Sequence, residues 1–160
     1  MTRTDHIAVF RGAAGSEPFA SDELVLQAWS EADWNRLFDH TQTRPYRASE
    51  VVIQRSAVDR ALYLVAAGSL EVGINQVDGV SMSTLAQIHA GSVVGEQSFF
   101  DGLLRSANVW GVSDGELLRL DLEDFRRFGT AEPGLARDLL FALGRVLSSR
   151  LRNTTMRVRR

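Results

Sequence analysis

The sequence contains no cysteine and no lysine, and each absence excludes a class of function. Without cysteine the chain can form no disulfide, no thiolate metal site and no thiol nucleophile. All 18 basic residues are arginine, so Schiff-base chemistry and a phosphate-binding loop built on lysine are excluded too. The few histidines, His6, His40 and His89, lack the spacing of metal ligands.

Long apolar runs are also missing. No segment approaches the roughly 20 apolar residues that a membrane-spanning helix needs, and the first residues do not resemble a signal peptide. We therefore expect a cytoplasmic protein with no membrane partner. The net charge of −2 gives no bulk attraction to nucleic acid.

The 160 residues have the size of a single domain. Residues 1–20 lack sustained periodicity and include Gly12, Gly15 and Pro18, which predicts a loose N-terminal arm. The domain itself is expected at 21–160, with N-terminal helices at 21–43, a β roll at 44–121 and C-terminal helices at 122–160.

Two helices are predicted before the β zone. Apolar residues from Leu24 to Trp29 recur at i, i+1, i+4 and i+5, which indicates a first helix. The sequence SEAD at 30–33 resembles an N-cap pair that opens a second helix. The apolar stripe of that helix would be Trp34, Leu37 and Phe38.

From Arg44 to Asp121 the hydrophobic period shortens to that of strands. Short runs rich in β-branched residues alternate with turn residues, and no strand–helix–strand alternation suggests a Rossmann fold. Asp-Gly pairs at Gly79 and Gly115 are typical of hairpins. These features predict an antiparallel double-stranded β roll, jelly-roll-like, of about eight strands.

The helical period returns after Asp121. This residue is a candidate cap for a short helix, and Pro133 suits the first turn of a long one. The apolar positions of the long helix approximate a heptad seam and predict a homodimer through it. They are Leu135, Leu139, Leu143, Val146, Leu147 and Leu151.

The stretch GEQSFFDGLLRSA, residues 95–107, places Glu96 and Arg105 in an otherwise small or apolar run. Arginine offers a planar fork for phosphate oxygens, and N–H groups at a short helix start add donors. Because a carboxylate repels phosphate, Glu96 is better suited to accept hydrogen bonds from sugar hydroxyls. These properties predict a small phosphate diester as ligand. The alternative is a surface salt bridge between Glu96 and Arg105.

The same thirteen residues resemble the phosphate-binding cassette of cyclic nucleotide-binding domains. Upstream, ALYLVAAGSLEV is similar to the strand pair of that family, and downstream ELLRLDLEDFRRF is similar to its exit into a hinge helix. The resemblance extends from about Trp34 to the end of the chain. Two features depart from the pattern: Leu104 stands where many members have proline, and the usual glycine after Gln54 is missing.

The resemblance implies a role for each matching residue. Arg105 would bind the cyclic phosphate and Glu96 the ribose 2′-hydroxyl. Gly95 begins the cassette, whereas Ser106 and Ala107 would offer backbone N–H groups and, for Ser106, a hydroxyl. Gln97 and Ser98 complete the candidate cassette contacts.

The identity of the base rests on two further features. Serine after the cassette arginine is associated with cyclic AMP more than with cyclic GMP. In addition, RLRNTT at 150–155 resembles the RLQVTS of receptor-type members, whose hydroxyls contact adenine across a dimer interface. Thr154 and Thr155 are therefore the candidate base readers. The alternative is that both are tolerated threonines near a fraying helix end.

The resemblance thus implies a non-catalytic receptor that binds cyclic AMP, or cyclic GMP, and uses no cofactor. A hinge around Phe125 and Phe128 would move the helix from Pro133 onward, and an unknown effector protein would detect that movement. The chain ends at Arg160 without a helix–turn–helix, so direct DNA binding is not expected. The competing hypotheses are a degenerate interaction scaffold without ligand and a β-roll metalloenzyme.

Overall fold

The computed structural model describes residues 1–12, 22–75 and 82–159. Five helices and eight strands lie in these ranges. The helices are α1 (Arg3–Gly12), α2 (Glu31–Phe38), α3 (Glu96–Asp101), α4 (Leu122–Ala131) and α5 (Pro133–Val158). The strands are β1 (Gln42–Tyr46), β2 (Val51–Ile53), β3 (Leu62–Ala67), β4 (Ser69–Asn75), β5 (Met82–His89), β6 (Val93–Val94), β7 (Asn108–Gly111) and β8 (Gly115–Leu120).

The strands form two four-stranded sheets whose order shows many crossovers. One sheet has the order β1-β8-β3-β6 and the other β2-β7-β4-β5. Every neighbouring pair within these sheets is antiparallel. The predicted antiparallel double-stranded β roll with flanking helices is therefore confirmed.

Strand β3 contributes side chains to two hydrophobic cores, one on each face of its sheet. Its side chains alternate between the two faces of the sheet, as the period of a strand requires. Leu62 and Leu64 join the core between the first sheet and the helices, whereas Tyr63 and Val65 join the core between the two sheets. Burial on both faces explains why the sequence of β3 is apolar without interruption.

The prediction of a loose arm is wrong for residues 3–12. They form α1, in which Ile7 and Phe10 are buried. The Phe10 ring stacks on Trp34 of α2 with 5.3 Å between the ring centroids. A ten-residue helix has little intrinsic stability, and the local sequence pattern therefore does not predict it. Its packing on α2 stabilises it. Residues 13–20 lie outside the described residues.

The helix predicted from Leu24 to Trp29 is also wrong. The segment runs along a sheet edge instead, where Glu23 forms an isolated β-bridge with Ser92. The Leu24 N–H donates to Gly91 O at 2.9 Å, and the Leu24 side chain is fully buried. Pairing at the sheet edge gives hydrogen-bond partners to backbone groups that would have none in a short helix. Tertiary context therefore overrides the local pattern.

The other helix starts are confirmed. Ser30 caps α2 in a reciprocal capping box with Asp33. Asp121 is the N-cap residue of α4, although its side chain makes no capping hydrogen bond, and Pro133 lies in the first turn of α5.

The turn at Gly115 does not form the predicted hairpin. Strands β7 and β8 belong to different sheets, so the chain crosses the roll there. A Cβ on Gly115 would lie 2.3 Å from both Ala67 O and Tyr46 Oη, so glycine is needed for close approach rather than for a tight turn. The other Asp-Gly pair, at Gly79, lies outside the described residues.

The apolar stripe of α5 packs within the chain. Leu139, Leu143 and Val146 are at most 1% exposed and belong to the core under the first sheet. They are therefore not available as the dimer seam that the sequence predicted. No helix in the described ranges is long and apolar enough to cross a membrane.

The close approach at Gly115 makes a stability prediction. Gly115→Ala should lower the free energy of unfolding by about 1–3 kcal/mol or more, because the methyl group has no space. Gly134→Ala, where a Cβ would meet nothing within 4 Å in α5, should leave it unchanged or raise it by up to about 1 kcal/mol. Urea unfolding followed by circular dichroism measures both, and equal effects would contradict the packing argument.

Candidate functional site

Helix α3 is bounded by two glycines in the left-handed conformation. Gly95 has φ 85° at the N-terminal end and Gly102 has φ 71° at the C-terminal end. A Cβ on Gly95 would lie 2.8 Å from Arg105 Nη1 and 2.9 Å from Ala61 O. Only glycine fits both the backbone angle and the space, so the start of α3 can lie directly against Arg105.

Arg60 anchors the other end of α3. Its Nε donates to Ser98 O at 3.2 Å and its Nη2 to Phe99 O at 2.9 Å. A cation at the C-terminal end of a helix donates hydrogen bonds to the free carbonyl groups and interacts favourably with the negative end of the helix dipole. The connection between β2 and β3 therefore holds α3 in place.

Arg105 is a buried guanidinium held on one side by the protein. Its Nη1 donates to Gly95 O at 2.9 Å, and its Nη2 donates to Asp59 Oδ2 at 2.9 Å and to Ala61 O at 2.6 Å. The residue is only 4% exposed. Its Nε is buried without a hydrogen-bond partner, a costly state that an acceptor in the adjoining cavity would relieve.

Asp59 is the carboxylate that balances Arg105. Burial by itself raises the pKa of Asp59, but the hydrogen bond from Arg105, the N–H of Ala61 and the charges of Arg105 and Arg119 outweigh it. The pKa is lowered as a result. Asp59 therefore stays ionised at neutral pH and compensates the buried charge.

Glu96, the first residue of α3, pairs with Arg150 of α5. Glu96 is 5% exposed, and its Oε1 lies 2.6 Å from Arg150 Nη1. Burial by itself lowers the pKa of Arg150, but the carboxylates of Glu96 and Asp22 outweigh it and raise the pKa. The alternative of a surface salt bridge between Glu96 and Arg105 is wrong, because both are buried and each has another partner.

These groups surround a cavity of about 140 Å³. One wall is polar and is made by the loop around α3, and the other is apolar and comes from strands of both sheets. Its lining residues are Ile53, Val72, Ala86, Ile88, Val94, Gly95, Glu96, Gln97, Ser98, Arg105, Ser106, Ala107, Val109 and Arg150. Among the described residues no group of three potential metal-ligating side chains occurs.

Seven of the nine predicted site residues lie together around this cavity. In the loop, Ser106 Oγ donates to Gln97 Oε1 at 2.7 Å. Thr154 and Thr155 do not line the cavity. They are exposed on α5, and their hydroxyls donate to Arg150 O and Leu151 O, both at 3.0 Å. Their role in reading the base stays a prediction.

Sequence reasoning missed Asp59 and Arg150 as site residues. Arg150 is the first residue of the RLRNTT motif, but the resemblance of that motif assigns a role only to its two threonines. Asp59 lies in the connection between β2 and β3, 46 positions before Arg105, and no local pattern connects them. Only the folded chain brings Arg150 to the cavity and Asp59 to Arg105.

The predicted hinge residues Phe125 and Phe128 are connected to α3 through aromatic contacts. Phe99 of α3 meets Phe125 of α4 edge-to-face with 5.4 Å between the ring centroids. Phe125 in turn lies beside Phe128, which is fully buried. Helices α3 and α4 are therefore in direct aromatic contact.

A family comparison agrees with this geometry. The model of the cyclic nucleotide-binding domain matches residues 43–131, which is more than half of the chain. The chain belongs to the cyclic nucleotide-binding domain family. The match includes all of α3, Arg105 and the hinge aromatics, but not Arg150 or the two threonines.

Individual relatives in this family differ in function. The chain is similar to a cyclic AMP receptor protein of Thermus thermophilus, with 34% identity over 106 residues, 66% of this chain and 49% of the relative. It is also similar to a cGMP-dependent 3′,5′-cGMP phosphodiesterase A of Dictyostelium discoideum, with 37% identity over 51% of this chain and 9% of that one. The chain thus spans about half of the first relative and a small part of the second.

Solved structures show the same fold. The catabolite activator protein of Thermus thermophilus has a TM-score of 0.70 and 28% identity, over 89% of this chain and 62% of that one. A cyclic nucleotide-binding domain from Methylobacillus flagellatus has a TM-score of 0.80 over 98% of this chain and 82% of that one. Its identity is only 18%, so it supports the fold alone.

Proposed function

We propose that the chain is a non-catalytic receptor that binds a cyclic nucleotide monophosphate, cyclic AMP in preference to cyclic GMP, and signals through a partner protein. The observation that carries the proposal is the unpaired, buried Nε of Arg105 beside a cavity lined by a glycine-bounded helix start. A phosphodiester oxygen is the acceptor that such a donor lacks. Backbone N–H groups of Ser106 and Ala107 would add to phosphate binding.

The ribose would lie against Glu96. A buried carboxylate that faces a phosphate site needs a hydrogen-bond donor as a neighbour, and the 2′-hydroxyl supplies one. Arg150 neutralises the charge of Glu96, so an anionic ligand meets little net repulsion. Gln97 and Ser98, the next residues of α3, complete the contacts of the loop.

The base would extend from the cavity towards α5. Small-molecule sites usually measure about 300–1,000 Å³, so a cavity of about 140 Å³ holds only part of a cyclic nucleotide. Thr154 lies four residues after Arg150 and therefore one turn farther along the same face of α5. This placement favours Thr154, with Thr155 beside it, as a reader of the base.

A homodimer would bring a second α5 to this face. Exposed or half-buried residues of α5 follow a heptad spacing of alternating four and three residues, which is typical of a coiled-coil seam. The seam consists of Leu140, Gly144, Leu147, Leu151, Thr154 and Val158. Of these, Leu151 is 69% and Val158 82% exposed. The seam shares Leu147 and Leu151 with the positions that the sequence indicated, but not the buried Leu139, Leu143 and Val146.

The signal would be a shift between two populations. Ligand closes the loop around α3, and the contact between Phe99 and Phe125 passes the movement to α4 and on to α5. The partner would bind one of the two positions of α5 more tightly than the other.

Removal of the side chain that is proposed to bind the phosphate tests the central claim. Arg105→Ala should weaken cyclic AMP binding at least about 30-fold by calorimetric titration, because about 2–5 kcal/mol is lost with one member of a buried charge interaction. Arg119→Gln, which removes a charge near the same Asp59 but does not line the cavity, should bind normally. Unchanged affinity in a folded Arg105→Ala protein would refute the site. A wild type without heat or thermal shift for either nucleotide would support the scaffold hypothesis instead.

The role of Glu96 is tested with 2′-deoxy cyclic AMP. Glu96→Gln still accepts a hydrogen bond but loses the charge, so cyclic AMP binding should weaken less than for Arg105→Ala, by about 5- to 30-fold. The 2′-deoxy ligand should bind the wild type weakly and lose little more in the variant. Losses that simply add would show that Glu96 does not contact the hydroxyl.

The α5 seam makes a separate prediction. Leu151→Glu combined with Val158→Glu should reduce the mass in light scattering from dimer to monomer and abolish the preference for cyclic AMP. Thr154→Val should keep the mass and reduce that preference by about 3- to 10-fold, the effect of one hydrogen bond. Thr130→Val in α4, whose hydroxyl also donates to a backbone carbonyl one turn back, is the control. A wild type that is monomeric at tens of micromolar with ligand present would refute the dimer.

A further inference from the structure

Arg150 is shared between two carboxylates that come from distant parts of the chain. Its Nη1 binds Glu96 of the cavity at 2.6 Å. Its Nε and Nη2 donate to Asp22 Oδ2 at 3.1 and 2.9 Å. Nη2 also donates to Val93 O at 2.7 Å, so the guanidinium is held on all sides.

Asp22 is itself fixed to the sheet. Its carbonyl accepts a hydrogen bond of 2.6 Å from Ser92 Oγ, and Ser92 is 1% exposed. The next two residues follow the sheet edge, with Glu23 bridged to Ser92 and Leu24 bonded to Gly91. Asp22 is therefore a rigid anchor for Arg150, although it does not line the cavity.

We propose that Asp22 is a positioning residue for the ribose subsite: it holds the guanidinium of Arg150 so that the carboxylate of Glu96 stays oriented towards the ligand hydroxyl. The inference rests on the proposed function and adds to it a residue outside the cavity. It makes the edge segment from Asp22 to Leu24 part of the binding apparatus.

Asp22 would matter because the side chain of Arg150 is long and can adopt many conformations. Without the charge of Asp22, Arg150 keeps Glu96, Ser92 and Val93 as partners, but its two hydrogen bonds to Oδ2 of residue 22 lose their charge assistance. A mobile Arg150 would leave Glu96 less ordered, and binding would then have to order both side chains. The entropy of ordering one such side chain corresponds to a loss of about 2- to 10-fold in affinity.

The test compares cyclic AMP with its 2′-deoxy analogue. Asp22→Asn should weaken cyclic AMP binding about 2- to 10-fold relative to any change for 2′-deoxy cyclic AMP, so the ratio of the two dissociation constants should move towards one. Removal of a negative charge acts at longer range on both phosphodiesters alike and cancels in this ratio. Asp22→Glu, which keeps the charge, should restore part of the ratio.

Asp138→Asn is the matched control. Asp138 accepts a hydrogen bond of 3.2 Å from Trp29 Nε1, so it joins the same N-terminal segment to α5 without contact to Arg150. This variant should leave the ratio unchanged. An equal change of the ratio in Asp138→Asn, or none in Asp22→Asn, would overturn the role of Asp22.

A second readout needs no nucleotide. The Nε–H resonance of Arg150, assigned through Arg150→Lys, should show slow solvent exchange in the wild type and fast exchange in Asp22→Asn, but not in Asp138→Asn. Slow exchange in Asp22→Asn would contradict the inference. If the wild type binds neither cyclic nucleotide, the proposed function and the ribose role fail together. If it binds and only the ratio test fails, the proposed function stands and Asp22 has no such role.

Discussion

The site depends on the burial of one guanidinium. Arg105 can lie at 4% exposure only because two carbonyl groups and the carboxylate of Asp59 occupy its Nη atoms. That arrangement requires a glycine at 95, since a side chain there would collide with the guanidinium. Its Nε has no hydrogen-bond partner in the protein, and the residue lines the cavity.

The β roll supplies the rigidity that this arrangement needs. Strand β3 is buried on both faces, and the residues just before it, Asp59 and Ala61, hold Arg105. Arg60, between them, holds the opposite end of α3. Three consecutive residues, 59–61, thus hold the loop around α3 in place through hydrogen bonds to Arg105 and to the carbonyl groups of α3. The loop around α3 is thus attached to a strand that is buried on both faces, which limits the movement of its charged side chains.

The remaining charges connect the cavity to the helices. Glu96 is joined to α5 through Arg150, and Phe99 is joined to α4 through Phe125. One connection is ionic and the other aromatic, and both start from the same short helix. A ligand that changed the position of α3 would therefore act on both C-terminal helices at once, as the proposed receptor function requires.

The sequence by itself determined the β roll, most of its strands, the starts of α2, α4 and α5, and the cavity loop. Period-two patterns, caps and an uninterrupted motif are local signals, and each reports the conformation of neighbouring residues. Only the tertiary structure decided the rest. Helix α1 and the edge segment at 22–24 are stabilised by distant contacts, and Gly115 serves a crossover rather than a hairpin. Asp59 and Arg150 join the site across 46 and 54 positions, from Arg105 and Glu96 respectively, because buried charges take whichever partner the fold places beside them.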